Sequence, residues 1–533
     1  MRFIFVLLSL FFSVQSCFSD QLTNILPTFE AYVQKSLSEW QAPGVSIAIV
    51  KDGQIIYEKG FGVREVDQPE PVDAYTVMPI ASLSKNFLVT LIAQLVDEGV
   101  LDWDAPVKKY LPDFRLSDPD ITNQFTVRDL LSHRSGLKGF SADSVWNLGY
   151  NATEIRDFLA QLPFEKGFRH DYAYQNHLFG IASDLVEKVT GQSIASLFQA
   201  RLFNPLALTY SNVGPIEQPK KGLWGAIKGW FQKKPKLNVA LPHHVIGTKT
   251  TATATSPQMY TFMGSTGVNT CAHDLGLWMI FQLNDGQING KALVSKAQIT
   301  QMRTSHVQAT NLRPDDMQFP AVRMSQIHYG MGWFLGNYGG EGTEKVPFLS
   351  HMGGFGGVRS LMTLVPNQKL GIVIISNFGS MRVSMLPEAL RNKFLDLYLN
   401  LGEKDWSKEN LQKMQEIRTK NKQYKNDYRL QNPRPHHDLK VYVGQYKNPL
   451  YGSFEIQQDK QGLTLVYKDR RVSLTHWNGD EFEFKGNDLT PIYSEYDQGY
   501  IEFGVQGQKA LLSAINLMFE GKSEIFERVK EGA

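Results

Sequence analysis

Two short stretches, far apart in the chain, constrain its fold more than anything else in it. Residues 44–62, GVSIAIVKDGQIIYEKGFG, form an alternating pattern around Asp52-Gly53. That dipeptide tolerates the positive φ angles of a two-residue hairpin turn. Residues 357–377, GVRSLMTLVPNQKLGIVIISN, read as two further strands around Pro366-Asn-Gln-Lys369. Strand pairs at both ends of a long segment predict one antiparallel sheet built from both ends. Helices fill the interval. In residues 85–99, Phe87, Leu88, Leu91, Ile92, Leu95 and Val96 recur at helical spacing, and Gly99 is placed to end the helix. Residues 177–191, HLFGIASDLVEKVTG, have the same form.

Further along the pattern changes. Residues 403–437 are densely charged and contain prolines, which predicts a solvated helix followed by a linker. Residues 438–533 carry short alternating segments such as GSFEIQQ, LTLVYK and EFEFKG at regular spacing, the pattern of a small all-β, barrel-like domain. The expected organisation is a leader over 1–19, an α/β domain over 22–402, a helix and linker over 403–437, and the β-domain over 438–533. A chain of 533 residues has room for that many units, and its 42% apolar content supplies their cores. A net charge of only +2 gives no reason to expect nucleic acid as a partner.

The N-terminus, Met1-Arg2 followed by FIFVLLSLFF, is a signal-peptide pattern, too short to span a bilayer as a mature helix. Cleavage after Ser16 or Ser19 is one expected outcome. The other is lipidation of Cys17, because Val14-Gln15-Ser16-Cys17 looks like a lipobox. Either places the protein outside the cytoplasm, in the periplasm or cell envelope. Cys271 is the one cysteine beyond this region, so the body of the protein has no internal disulfide, and Cys271 itself reads as a small buried residue.

Ser82 and Lys85, in PIASLSKNF, stand three residues apart at the start of the first predicted helix, so they share a face. A hydroxyl is a poor nucleophile until a neighbouring base takes its proton, and a lysine whose pKa is lowered by burial can do so. The spacing alone is weak, since Ser135 and Lys138 repeat it, but that pair begins in a glycine-containing turn. Tyr174-Gln-Asn176 offers a phenol and an amide just ahead of the second helix. The same Tyr-x-Asn pattern recurs at Tyr210, Tyr398, Tyr424 and Tyr446, so context singles it out. His351, in SHMGGFGGVRS, precedes glycines that allow another backbone to approach the strand edge.

Ser82-x-x-Lys85, Tyr174-x-Asn176 and His351-x-Gly353, in that order, resemble the serine β-lactamase-like superfamily, in its branch of class C β-lactamases, low-molecular-weight penicillin-binding proteins and related esterases. LDWDAPVKKYLPDF, TVRDLLSHRSGL and STGVNTCAHDLGLWM are similar to the family as well, over roughly residues 25–400, and the β-domain resembles one appended to many serine hydrolases of this group. The resemblance implies an antiparallel sheet flanked by helices, with a helical subdomain. It implies that Ser82 becomes acylated, that Lys85 and Tyr174 share its proton, and that Asn176 orients substrate and Lys85. The N–H groups of Ser82 and Gly354 would hold the oxyanion, with His351 and Gly353 lining the substrate site. Which of Lys85 and Tyr174 is the base stays open, because both have ordinary pKa values near 10.

Many β-lactamases of this type carry lysine where His351 stands, and a histidine is mostly neutral at pH 7. The expected activity is therefore an acyl-serine D,D-peptidase or esterase, with a β-lactamase as the enzymatic alternative and a cell-wall- or lipid-binding scaffold as the non-enzymatic one. Peptide, ester or β-lactam substrates are implied, and neither a cofactor nor a metal; the His243-His244 and His436-His437 pairs lack further ligands at metal spacing. Arg359 could anchor a carboxylate but reads as a solvated strand residue, and His133 reads as a hydrogen-bonded structural group. Residues 219–236 place Leu223, Trp224, Ile227, Trp230 and Phe231 on one helical face among six lysines and no acid, the pattern of a helix lying on an anionic membrane surface.

Overall fold

The computed structural model describes residues 22–216, 238–246, 249–309, 318–379, 384–485, 498–504, 507–514 and 524–529. The leader, including Cys17, and the candidate membrane helix with Leu223, Trp224, Ile227, Trp230 and Phe231 lie outside them.

Helix α1 (22–40) leads into β1 (Gly44–Lys51) and β2 (Gln54–Gly62), which turn at Asp52 and Gly53, with φ of 49° and 80°. Both angles are positive, as the tight hairpin requires. Helices α2 (Ser84–Asp97), α3 (Asp143–Asn147), α4 (Ala152–Leu159), α5 (His177–Thr190) and α6 (Ala272–Leu283) follow. The chain then returns to the sheet with β3 (Val307–Gln308), β4 (Met324–Tyr329), β5 (Phe334–Tyr338), β6 (Val346–Phe355), β7 (Val358–Val365) and β8 (Leu370–Ser376). The eight strands lie in the order β3-β4-β5-β6-β7-β8-β1-β2, every pair antiparallel, with β1 against β8 closing the two ends together.

Strand β1 shows why this sheet is sandwiched. All eight of its residues are buried. Val45, Ile47 and Ile49 join a core with Phe29 and Val33 of α1 and with Leu390 and Phe394 of α7 (Leu386–Tyr398). Ala48 and Val50 face the other way, into the core that holds Leu275 and Met279 of α6. Side chains alternate along a strand, so both faces must be covered; each fully buried Val or Ile contributes about 1.5–3 kcal/mol to that arrangement.

Helix α8 (Trp406–Tyr428) is less solvated at its start than its charge predicts. Trp406 is buried and its Nε1 donates to Asp396 at 2.9 Å, while Trp40 Nε1 donates to Ser407 at 3.1 Å. These contacts fasten the helix to the α/β domain. Beyond it, β9 (Gly444–Asn448), β10 (Gly452–Asp459), β11 (Gly462–Tyr467), β12 (Arg470–Asn478), β13 (Glu481–Lys485), β14 (Gln498–Phe503), β15 (Lys509–Ala514) and β16 (Glu524–Arg528) form a closed barrel. Buried Tyr446, Phe454, Phe482, Phe503 and Phe526 belong to its core. The barrel meets the α/β domain at Tyr150, whose hydroxyl donates to the Tyr451 carbonyl at 2.8 Å, and Lys468 Nζ lies 3.3 Å from the Tyr150 ring centre.

Candidate active site

The site is assembled where the start of α2 meets β6. Residues Met78–Pro79 form a short strand, and the chain then turns through Ala81, which sits in the left-handed region at φ 47°. A non-glycine residue there costs roughly 1–3 kcal/mol and persists where surrounding structure holds it. The strained turn presents Ser82 at the mouth of α2, half-buried and reachable, while Lys85, one turn on, is completely buried.

Gly353 on β6 explains how the two parts come so close. A Cβ built there would lie 2.0 Å from the Ile80 carbonyl oxygen, so only glycine fits. That carbonyl is held by Ser360 Oγ, which donates to it at 2.8 Å from the neighbouring strand. Pairing of β5 with β6 ends at Ser350, which leaves residues 351–355 without a β5 partner on that edge.

Lys85 Nζ is the hub. It donates to Ser82 Oγ at 3.1 Å, to Asn176 Oδ1 at 2.9 Å and to the Ser265 carbonyl at 3.5 Å. It also lies 5.1 Å from the Tyr174 ring centre and 5.4 Å from that of Phe179. Burial lowers the lysine from its ordinary value near 10.5 to about 7, with the negative charge of Asp143 opposing the shift. Burial raises the Tyr174 phenol above its ordinary value, and a hydrogen bond with Ser82 only partly offsets this. The phenol therefore keeps its proton at neutral pH.

Tyr174 is held by its neighbours on both sides. The Ala173 N–H donates to the His133 carbonyl at 2.8 Å, and the Gln175 N–H donates to His133 Nδ1 at 3.0 Å. The His133 and Tyr174 rings lie 4.2 Å apart. His133 is thus a hydrogen-bonded structural residue, as its sequence context predicts, and it forms part of the wall behind Tyr174.

Two expectations need correction. Arg359 is not solvated, nor does it face the site: it is fully buried and forms a salt bridge with the equally buried Glu388 of α7. A guanidinium placed there cannot anchor a substrate carboxylate. His351 was expected to line the substrate site, yet it is fully buried, with Nδ1 2.8 Å from the Met352 carbonyl and Nε2 3.1 Å from the Tyr329 hydroxyl. Both ring nitrogens already have protein partners. Burial and the nearby Lys85 charge lower its pKa to about 3, so the ring is neutral. Cys271 is buried as expected, its sulfur accepting the Asp274 N–H at 3.5 Å to cap α6.

Beside Ser82 opens a cavity of about 270 Å3. Gly354 lines it, together with Phe140, Tyr172, Tyr174, Phe319, Phe334 and Met352. This aromatic wall comes from four separate parts of the chain, and apart from Tyr174 nothing in any of them signals it in sequence. The same is true of Asp143, a single acid in the segment SADSVWNLGY.

Residues 29–391 match the family model described as Beta-lactamase. The chain belongs to the beta-lactamase family. Residues 429–527 match a second model, described as a domain of unknown function (DUF3471). Among relatives, the chain is 33% identical over 192 residues to the unguisins hydrolase ungD of Aspergillus violaceofuscus, a match spanning only 34% of each protein. It is 25% identical over 465 residues to the unguisins hydrolase ungD' of Aspergillus campestris, covering 84% of this chain and 80% of that one. In three dimensions it is similar to the octameric penicillin-binding protein homologue from Pyrococcus abyssi, with a TM-score of 0.57 and 19% identity, covering 94% of this chain and all of that one. At that identity the likeness shows a shared fold. The beta-lactamase family fold implied by the three motifs is the fold present, and the closed barrel expected from the alternating segments over 438–533 follows it.

Proposed function

We propose that this chain is a serine hydrolase that cleaves an amide or ester through an acyl-Ser82 intermediate. The observation that carries the reading is a completely buried Lys85 whose Nζ lies 3.1 Å from Ser82 Oγ. With a pKa near 7, a good fraction of Lys85 is the neutral amine at neutral pH. Tyr174 is then the proton carrier and Lys85 the base, because the phenol holds its proton more tightly than usual. In acylation Lys85 takes the Ser82 proton while Oγ bonds to the carbonyl carbon. The carbonyl electrons move onto oxygen, facing the Ser82 and Gly354 N–H groups. Collapse breaks the bond to the leaving amine or alcohol, which takes the proton from Lys85 by way of Tyr174. Water then repeats the sequence on the acyl-enzyme and releases the acid.

A D,D-peptidase-like peptidase or an esterase is favoured over a β-lactamase. Neutral His351 and the sequestered Arg359 leave β6 and β7 without the cation that many β-lactamases of this type place there; an ester needs no such anchor, and a peptide's terminal carboxylate would meet Lys166, which lines the cavity. The aromatic cavity suits an apolar acyl or side-chain group. The likeness to two fungal hydrolases supports hydrolysis as the reaction class. The N-terminal pattern supports export to the cell envelope, with Cys17 lipidation as one mode of attachment and the lysine-flanked aromatic face around Trp224 and Trp230 as a membrane contact.

Incubation with a fluorophosphonate, followed by digestion and mass spectrometry, is expected to place one adduct on the peptide carrying Ser82. A fluorescent penicillin is expected to label the same peptide slowly; rapid turnover of a chromogenic cephalosporin would favour the β-lactamase instead. Absence of any Ser82 adduct would leave the binding scaffold as the better reading.

The pH dependence has a definite sign. The neutral form of Lys85 is the active one, so kcat/KM is expected to rise as pH climbs through about 7 and then level off. His351 contributes no limb, being neutral everywhere above about pH 3. A pH–rate profile falling through pH 7 would contradict Lys85 as the base.

A further inference from the structure

One buried acid, Asp143, stands directly behind Asn176 and Lys85. Asp143 is 5% exposed, at the first position of α3, immediately after Ala142 in the left-handed region at φ 65°. Its carboxylate accepts from Asn176 Nδ2 at 3.0 Å through Oδ2 and 3.3 Å through Oδ1. His177 Nε2 lies 3.0 Å from Oδ1. On the other side of the same amide, Asn176 Oδ1 accepts from Lys85 Nζ at 2.9 Å. A carboxylate, an amide and an amine thus stand in a single hydrogen-bonded line that ends 3.1 Å from Ser82 Oγ.

We propose that Asp143 is a positioning residue for the acylation reaction: it fixes which end of the Asn176 amide faces Lys85, and it supplies the negative charge that this buried site would otherwise lack. The inference rests on the acyl-Ser82 reading. An asparagine side chain is nearly symmetric in shape, and its two ends differ only in donating or accepting. An ionised carboxylate only accepts, so it turns the NH2 end of Asn176 toward itself. The oxygen end is thereby aimed at Lys85, where it can receive a hydrogen bond from the amine or the ammonium. Without the carboxylate either orientation is open, and the flipped one sets NH2 against the lysine. The electrostatic part acts over the same line. Around Lys85 stand Tyr174, His133 and His351, all neutral near pH 7, and Asp143 is the acid whose charge acts on it. Around Asp143 itself stand His177, Asn176 and, one amide further, Lys85.

Two variants separate the two roles. Asp143→Asn keeps the shape and one acceptor oxygen but removes the charge. Its kcat/KM profile is expected to move to lower pH by about one unit, because the neutral amine is no longer disfavoured. Asp143→Ala removes the acceptor as well, and kcat is expected to fall by about 100-fold as the nucleophile and its base lose alignment, with KM changing far less. Fluorophosphonate labelling of wild type and both variants keeps the two readings apart: failure to label Ser82 in the wild type overturns the acyl-Ser82 reading itself. Wild-type labelling with an unmoved pH midpoint in Asp143→Asn overturns the role given to Asp143, including the case where only the melting temperature drops. Should Asp143→Ala fail to fold, the isosteric variant still decides, through its midpoint.

Discussion

Ser82→Ala is expected to lower turnover of any accepted substrate by roughly 10^4- to 10^6-fold, the scale seen when the nucleophile of an acyl-enzyme mechanism is removed. The protein itself should stay folded. Ser82 is half-buried, and the hydrogen bond from Lys85 that it forfeits is worth about 1 kcal/mol. Lys85 keeps Asn176 and the Ser265 carbonyl as acceptors. The variant should therefore melt within a few degrees of wild type, which separates a chemical defect from a folding one. Lys85→Met in the Ser82→Ala background should add almost nothing, because nucleophile and base act as one unit. Activity above a tenth of wild type in Ser82→Ala, on a substrate turned over by the native enzyme, would show that another group carries the reaction.

The parts of this molecule that were legible in sequence are those whose cause is local. The hairpin at Asp52-Gly53 is dictated by two residues that accept positive φ, and α2 and α5 by apolar positions three and four apart. The barrel announced itself by alternation, which needs no knowledge of partners. Arg359 was misread for the opposite reason. A lone arginine in a strand looks solvated until Glu388, 29 residues later, is brought beneath it. His351 shows the same limit, since its motif spacing says nothing of Tyr329, whose hydroxyl occupies its ring nitrogen. Asp143 and, Tyr174 apart, the aromatic wall had no local signal at all. Asp143 acquires meaning only when Asn176 and His177 are brought against it, and the wall only when the sheet folds the end of the domain back onto the start of α2.

Gly353→Ala tests that fold-back directly. The added methyl would sit 2.0 Å from the Ile80 carbonyl oxygen and 2.5 Å from Ser360 Oγ. Neither neighbour can simply give way. The Ile80 carbonyl also closes the turn that carries Ser82, accepting the Leu83 N–H at 3.2 Å, and Ser360 Oγ is bonded to that same oxygen. Relief requires β6 and the Ser82 turn to separate by about 1 Å, since ordinary carbon–oxygen contact needs more than 3 Å. Overpacking of this kind costs roughly 1–3 kcal/mol, which a drop in melting temperature would report. The larger effect falls on chemistry. Moving Ser82 away from Gly354 would part the two N–H groups proposed to hold the oxyanion, so kcat/KM is expected to drop by at least about 100-fold. Ser360→Ala should not rescue it: that change removes the hydroxyl but leaves the backbone oxygen in the way. A Gly353→Ala enzyme with native turnover and native melting would mean that β6 and the nucleophile turn do not touch, and the cavity between them would lose its claim to be the site of reaction.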